Sequence, residues 1–335
     1  LSFPRRREPR TSANWIPACA GMTSTFPPAT PPMSHFSFLF ICLVWGSSFI
    51  LMDRAALAFG PLSIASLRLL CGGVVLGLFW LTTTTRASIR PTDWKHIVLV
   101  AIVSNAWPFT ILPYVMAQAN EHAYFGMMVS MVPLVTLVAS IPLLGIWPTP
   151  RQIIGVCGGL VCLAGVMLDG SHRGISPGLI ALALTVPLTY ALGNIHIKAR
   201  LSHIPSLPLT ALVLGIGGLV LLPLYAAPSL SEALQLGEPA QPQQWPTALW
   251  ALLLLGVFCT GIANLAFVYL VKSQGPLYAG MVTYVIPLVA LAWGQFDSER
   301  LSPLQIAAMT GVLSMVALVQ WGTASPAECP TEYVT

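Results

Sequence analysis

Residues 97–120 and 246–271 contain no charged side chain. Each run is longer than the ~20 apolar residues that carry a helix across the hydrocarbon of a bilayer. Inside lipid a chain must satisfy every backbone N–H and C=O by itself, so only helices and closed barrels are admissible. Continuous apolar runs, without strict alternation, select helices. The whole chain agrees: 56% of its 335 residues are hydrophobic and 8% charged, against roughly a quarter charged in soluble domains. Mean hydropathy is +0.78. Such a chain cannot cover its surface with polar groups. The expected class is an all-α polytopic membrane protein.

The pattern predicts ten spans, at 36–53, 61–81, 95–118, 123–145, 150–169, 175–198, 206–227, 246–271, 276–296 and 303–322. With the N-terminus cytoplasmic, the inner links hold Arg86, Arg90, Lys95, Arg151, Lys198, Arg200 and Lys272. The outer links hold Arg54, Arg173 and Arg300. Because Lys and Arg accumulate on the cytoplasmic side, both termini are expected inside, in a bacterial inner (plasma) membrane.

The phrase AYFGMMVSMVPLV at 123–135 returns as LYAGMVTYVIPLV at 277–289. Tyr124/Tyr278, Gly126/Gly280, Met127/Met281 and Pro133/Pro287 align without a gap. Leu and Val would match by chance in any apolar segment, but Gly and Pro act on the backbone and would not. The copies fall in spans four and nine. Five spans separate them, so the second enters the membrane from the opposite side. The reading is two inverted five-helix repeats, 36–169 and 175–322, related by a pseudo-two-fold axis in the membrane plane. When such halves exchange conformations, an inward-open cavity becomes outward-open, and transport by alternating access follows.

The segment FLFICLVWGSSF at 38–49 with PLSIASLRLL at 61–70, and TYVIPLVALAWGQFDSERLSPLQIAAMTGVLSMVALV at 283–319, resemble the start and end of an EamA-type domain of the drug/metabolite transporter superfamily. The resemblance covers about 36–322. It implies a secondary transporter of small organic metabolites, amino-acid-like or aromatic and amphipathic, commonly exported. Implied partners are a small-molecule substrate, the lipid bilayer and, as an option, a second copy of the chain, with no nucleic acid and no cofactor. The coupling ion stays open. Two departures stand out: GIWPTPRQ replaces the acidic turn that the second copy keeps as Glu299-Arg300, and Arg68 in span two meets Gly215 in span seven.

Residues 1–34, with Arg5, Arg6, Arg7 and Arg10 among many prolines, lack the apolar core of a secretory signal. They read as a disordered leader, an over-extended start before Met22 or Met33; residues 323–335 read as a tail. The seven cysteines show no zinc-like pairing and are expected as small packing residues.

Arg68 stands about seven residues into span two, roughly 10 Å along the helix. A charge that deep faces a bundle interior or a water cavity. It would either contact an anionic substrate or hold helix-end carbonyls. Trp45, Asn105, Trp107, Tyr190, Asn194, Asn264 and Tyr284 are expected to converge with it on a central pathway. Amides orient a solute and aromatic rings supply stacking surface; the alternative for each is an interhelical hydrogen bond. Pro133 and Pro287 are expected as kinks near the middle of spans four and nine, or as simple shapers of those helices. Gly46, Gly72, Gly73, Gly126, Gly158, Gly159, Gly217, Gly218 and Gly280 read as close-packing positions. No carboxylate lies deep in a span, so no proton carrier stands out, with His196 the nearest candidate. Neither catalytic nor metal-ligand spacing emerges. An intramembrane enzyme or a receptor is the alternative, and neither explains an inverted repeat.

Overall fold

The computed structural model describes residues 31–84, 88–119, 128–168, 176–225, 244–294 and 303–320. Among them there is helix and no strand. In chain order the helices are α1 Pro31–Ala55, α2 Pro61–Thr82, α3 (93–119), α4 Val132–Leu144, α5 Pro150–Leu168, α6 Pro177–Arg200, α7 Ser206–Tyr225, α8 (245–273), α9 (276–294) and α10 Pro303–Gln320. Pro opens α2, α5, α6 and α10, where its missing N–H has no helical partner to lose. Among the described residues, six stretches are long and apolar enough to cross a membrane: Met33–Met52, Pro61–Thr82, Asp93–Val115, Pro177–Arg200, Ser206–Leu224 and Trp245–Ser273. Shorter apolar helices run over Val129–Leu144, Pro276–Val289 and Thr310–Gln320.

Two helices change their winding. Ile102–Ala106 within α3 and Leu255–Ile262 within α8 are π-helical. Such a stretch holds an extra residue, weakens the local ladder and is frequent at functional sites. The side chains around it take up the loosened carbonyls. Asn105 Nδ2 donates to Val100 O at 3.3 Å and Asn264 Nδ2 to Thr260 O at 2.8 Å.

The heaviest seams pair α2 with α7 and α5 with α10. Next come α1 with α8 and α9, α6 with α3 and α4, α2 with the π stretch of α8, and α7 with α3. Glycines set the closest approaches. A Cβ on Gly73 would lie 2.5 Å from Gly215 N, and one on Gly72 would lie 3.0 Å from Gly256 O. At the α5–α10 seam, Gly155 faces Met315 and Val319, and Gly158 faces Met315. The main buried core draws on every helix but α2.

The prolines of the repeated phrase are not alike. Pro133 stands in the first turn of α4, after a 3₁₀ stretch at Val129–Met131, so it starts a helix where a mid-span kink was expected. Pro287 does lie inside Val282–Gly294. Its ring removes the bond to the carbonyl four residues back, and Ser130 Oγ donates to that carbonyl, Thr283 O, at 2.9 Å. The leader assignment falls on residues 1–30, outside the described ones. Its last residues are in α1, where Ser34 is buried and accepts from Gln274 Nε2 at 3.0 Å.

Candidate functional site

The charged residue of α2 organises the site. Arg68 Nε donates to Thr260 Oγ1 at 2.9 Å, Nη1 approaches Met52 Sδ at 3.6 Å, and the guanidinium carbon lies 4.6 Å from the centre of the Phe109 ring. That arrangement joins α1, α2, α3 and α8 through one side chain. Tyr190 on α6 is within electrostatic reach of the same guanidinium. Asn194 follows Tyr190 by four residues and so shares its helix face. Asn194 is 5% exposed. Beside this group, Trp45 Nε1 donates to Cys259 O at 2.7 Å, and its ring lies 5.1 Å from that of Phe267. The π stretch of α8 therefore offers one hydroxyl to Arg68 and the neighbouring carbonyl to Trp45.

Arg68 and Trp45 come together on the α8 π stretch, with Asn264 bracing it from the next turn; Tyr190 and Asn194 lie on one face of α6. Asn105 is buried in the matching stretch of α3, where its Cβ faces Gly217 of α7. Two expected members lie elsewhere. Trp107 is 41% exposed and donates to Thr185 Oγ1 at 2.9 Å. Tyr284 is fully buried against α5, its hydroxyl donating to Val156 O at 2.7 Å and its ring seated over Gly159. Thr260, Met52 and Phe109 were not singled out in the sequence. Thr260 was within reach of that reading, since it precedes Asn264 by one helical turn.

At the other end of α6, His196 Nε2 and His96 Nδ1 lie 2.9 Å apart, and His203 Nε2 lies 3.0 Å from Asp93 Oδ2. Lys198 and Lys272 donate to the backbone oxygens of Lys272 and Ile204. These groups tie the ends of α3, α6 and α8. Among the described residues no three metal-ligating side chains stand together.

Six bilayer-length apolar helices among the described residues, with an Arg held between helices in their midst, define a multi-pass membrane protein. The model of the EamA-like transporter family matches residues 33–168 and again 178–321, and the chain belongs to that family, within the drug/metabolite transporter superfamily. It is 27% identical to the uncharacterized transporter YvbV of Bacillus subtilis, over 84% of this chain and 88% of the relative. It is 26% identical to the uncharacterized inner membrane transporter YedA of Escherichia coli, over 86% and 90%. Protein PecM of Dickeya dadantii is 25% identical over 86% and 92%. One solved crystal structure superposes with a TM-score of 0.71 over 86% of this chain and 96% of the other at 16% identity, a likeness of fold.

Proposed function

We propose that this chain is a secondary transporter that exports a small organic metabolite across the inner membrane by alternating access. Residues 36–169 and 175–322 are its two inverted five-helix halves, and both termini are cytoplasmic. The observation that carries the reading is that the polar contacts of the site cross from one half to the other. Trp45 reaches Cys259 O, and Arg68 reaches Thr260 Oγ1. The helix seams support it as well. Moving every helix five places along the chain turns α1–α9 into α6–α4, α1–α8 into α6–α3 and α2–α8 into α7–α3, all of which are packed pairs. The π stretches fall on α3 and α8, which the same shift exchanges.

In this reading the solute path runs between the halves past Arg68, Trp45, Tyr190 and Asn194. Asn105 and Asn264 hold the π stretches in shape, while Trp107 and Tyr284 serve packing. Replacing Asn264 or Asn105 by Leu removes the donor from a loosened carbonyl. Each change lowers export in overproducing cells while membrane abundance stays at the wild-type level. Comparing extracellular metabolites with an empty-vector strain, alongside immunoblots of the membrane fraction, checks both statements. Normal export by both variants at normal abundance refutes the assignment of these residues.

A further inference from the structure

We propose that Arg68 and the side chains around it recognise a singly charged carboxylate on an apolar or aromatic organic acid. This rests on the transporter reading and narrows it from metabolites in general, amino acids included, to monocarboxylates. A guanidinium carries five N–H donors. In Arg68 one is given to Thr260 Oγ1 and one points at a thioether, a weak acceptor; the other three have no partner among the described residues. The Phe109 ring covers a face of the cation and leaves its edge free. None of these neighbours carries a negative charge. A cation at such depth is stable only with a counter-charge or a route to water.

The chemistry of the pocket selects the anion. A guanidinium edge matches a carboxylate through two parallel N–H···O bonds. The groups described around Arg68 are a hydroxyl, a thioether, a phenyl ring, a thiol and a phenol. They supply no second cation, so a single negative charge is balanced and a phosphate dianion is not. They supply no carboxylate either, so the ammonium of a zwitterionic amino acid finds no partner. Phe109, Tyr190 and the Trp45–Phe267 pair offer ring surface for the body of the solute.

The test uses the full chain purified into lipid nanodiscs, with tryptophan fluorescence and thermal shift as readouts. The ligands are benzoate, phenylacetate, benzamide, phenyl phosphate and phenylalanine at matched millimolar concentrations. Benzoate or phenylacetate is expected to bind at least about tenfold more tightly than the neutral, dianionic and zwitterionic compounds. Arg68→Gln weakens carboxylate binding roughly a hundredfold, as loss of two charge-assisted hydrogen bonds predicts. Arg68→Lys, which keeps the charge and loses the fork, falls between. Benzamide binding as tightly as benzoate, unchanged binding in Arg68→Gln, or no binding of either acid to the wild type overturns the proposal. The wild-type comparison holds even where a variant fails to fold.

Counterflow in proteoliposomes separates this idea from the transporter reading. A neutral or cationic solute moved equally by wild type and Arg68→Gln overturns the carboxylate and leaves transport standing. Benzoate bound at Arg68, with no solute of any class moved, overturns transport alone.

Discussion

Gly73 and Gly77 stand one turn apart on α2, and their replacement by Ala separates packing from helix propensity. At Gly73 the new Cβ would lie 2.5 Å from Gly215 N and 2.7 Å from Gly215 Cα. Ordinary contact begins at 3.4 Å, so α2 and α7 must part by about 3.4 − 2.5 = 0.9 Å. The obstruction is backbone, which cannot rotate aside as a flexible side chain does. Overfilling of this kind costs about 1–3 kcal/mol. At Gly77 nothing lies within 4 Å, and only the propensity gain of Ala over Gly, at most about 1 kcal/mol, is felt. That gain applies at both sites and cancels in the comparison. Gly73→Ala should therefore be less stable than Gly77→Ala by about 1–3 kcal/mol. Thermal unfolding of both proteins in the same detergent measures the difference. Equal melting curves, or a more damaging Gly77→Ala, would refute the claim that backbone contact between α2 and α7 sets their spacing.

Trp45→Phe keeps the ring against Phe267 and removes the donor to Cys259 O, which should cost about 1–3 kcal/mol in the same melting assay. A variant as stable as wild type would mean that the carbonyl has another partner. Tyr284→Phe removes the bond to Val156 O and should lower stability by about 1 kcal/mol while leaving benzoate binding unchanged. An altered ligand affinity in that variant would place Tyr284 at the site after all.

Legibility in the sequence followed the physics of each feature. A charge-free run in lipid admits little but a helix, so 97–120 and 246–271 announced α3 and α8 directly. The depth of Arg68 likewise marked it as facing inward, because the alternative was lipid. The π stretches left no compositional mark, since one extra residue in a turn alters winding and not polarity. Pro133 looked like a mid-helix residue because its matching position, Pro287, is one. The 3₁₀ stretch at Val129–Met131 resets the helix start and moves Pro133 to its first turn. Trp107, which donates to Thr185, was readable as a position apart from Asn105. It follows Asn105 by two residues, about 200° around a helix, so the two share no face even before the π turn is counted. Tyr284 was not readable. Its direction is decided by the notch that Gly159 leaves on α5, which no local pattern in α9 encodes.

The π stretch of α8 has a mechanical consequence. Each position in it is held by a looser ladder, and the surplus residue belongs to no fixed turn. Passing that residue one turn toward either end rotates the side chains in between by about 100° while the two ends of the helix stay in place. For α8 the parts turned are the Cys259 carbonyl and the Thr260 hydroxyl, which hold Trp45 and Arg68. A wall of the site can thus be withdrawn by the local twist of a single turn, while the end of α8 that Lys272 ties to Ile204 O stays in place.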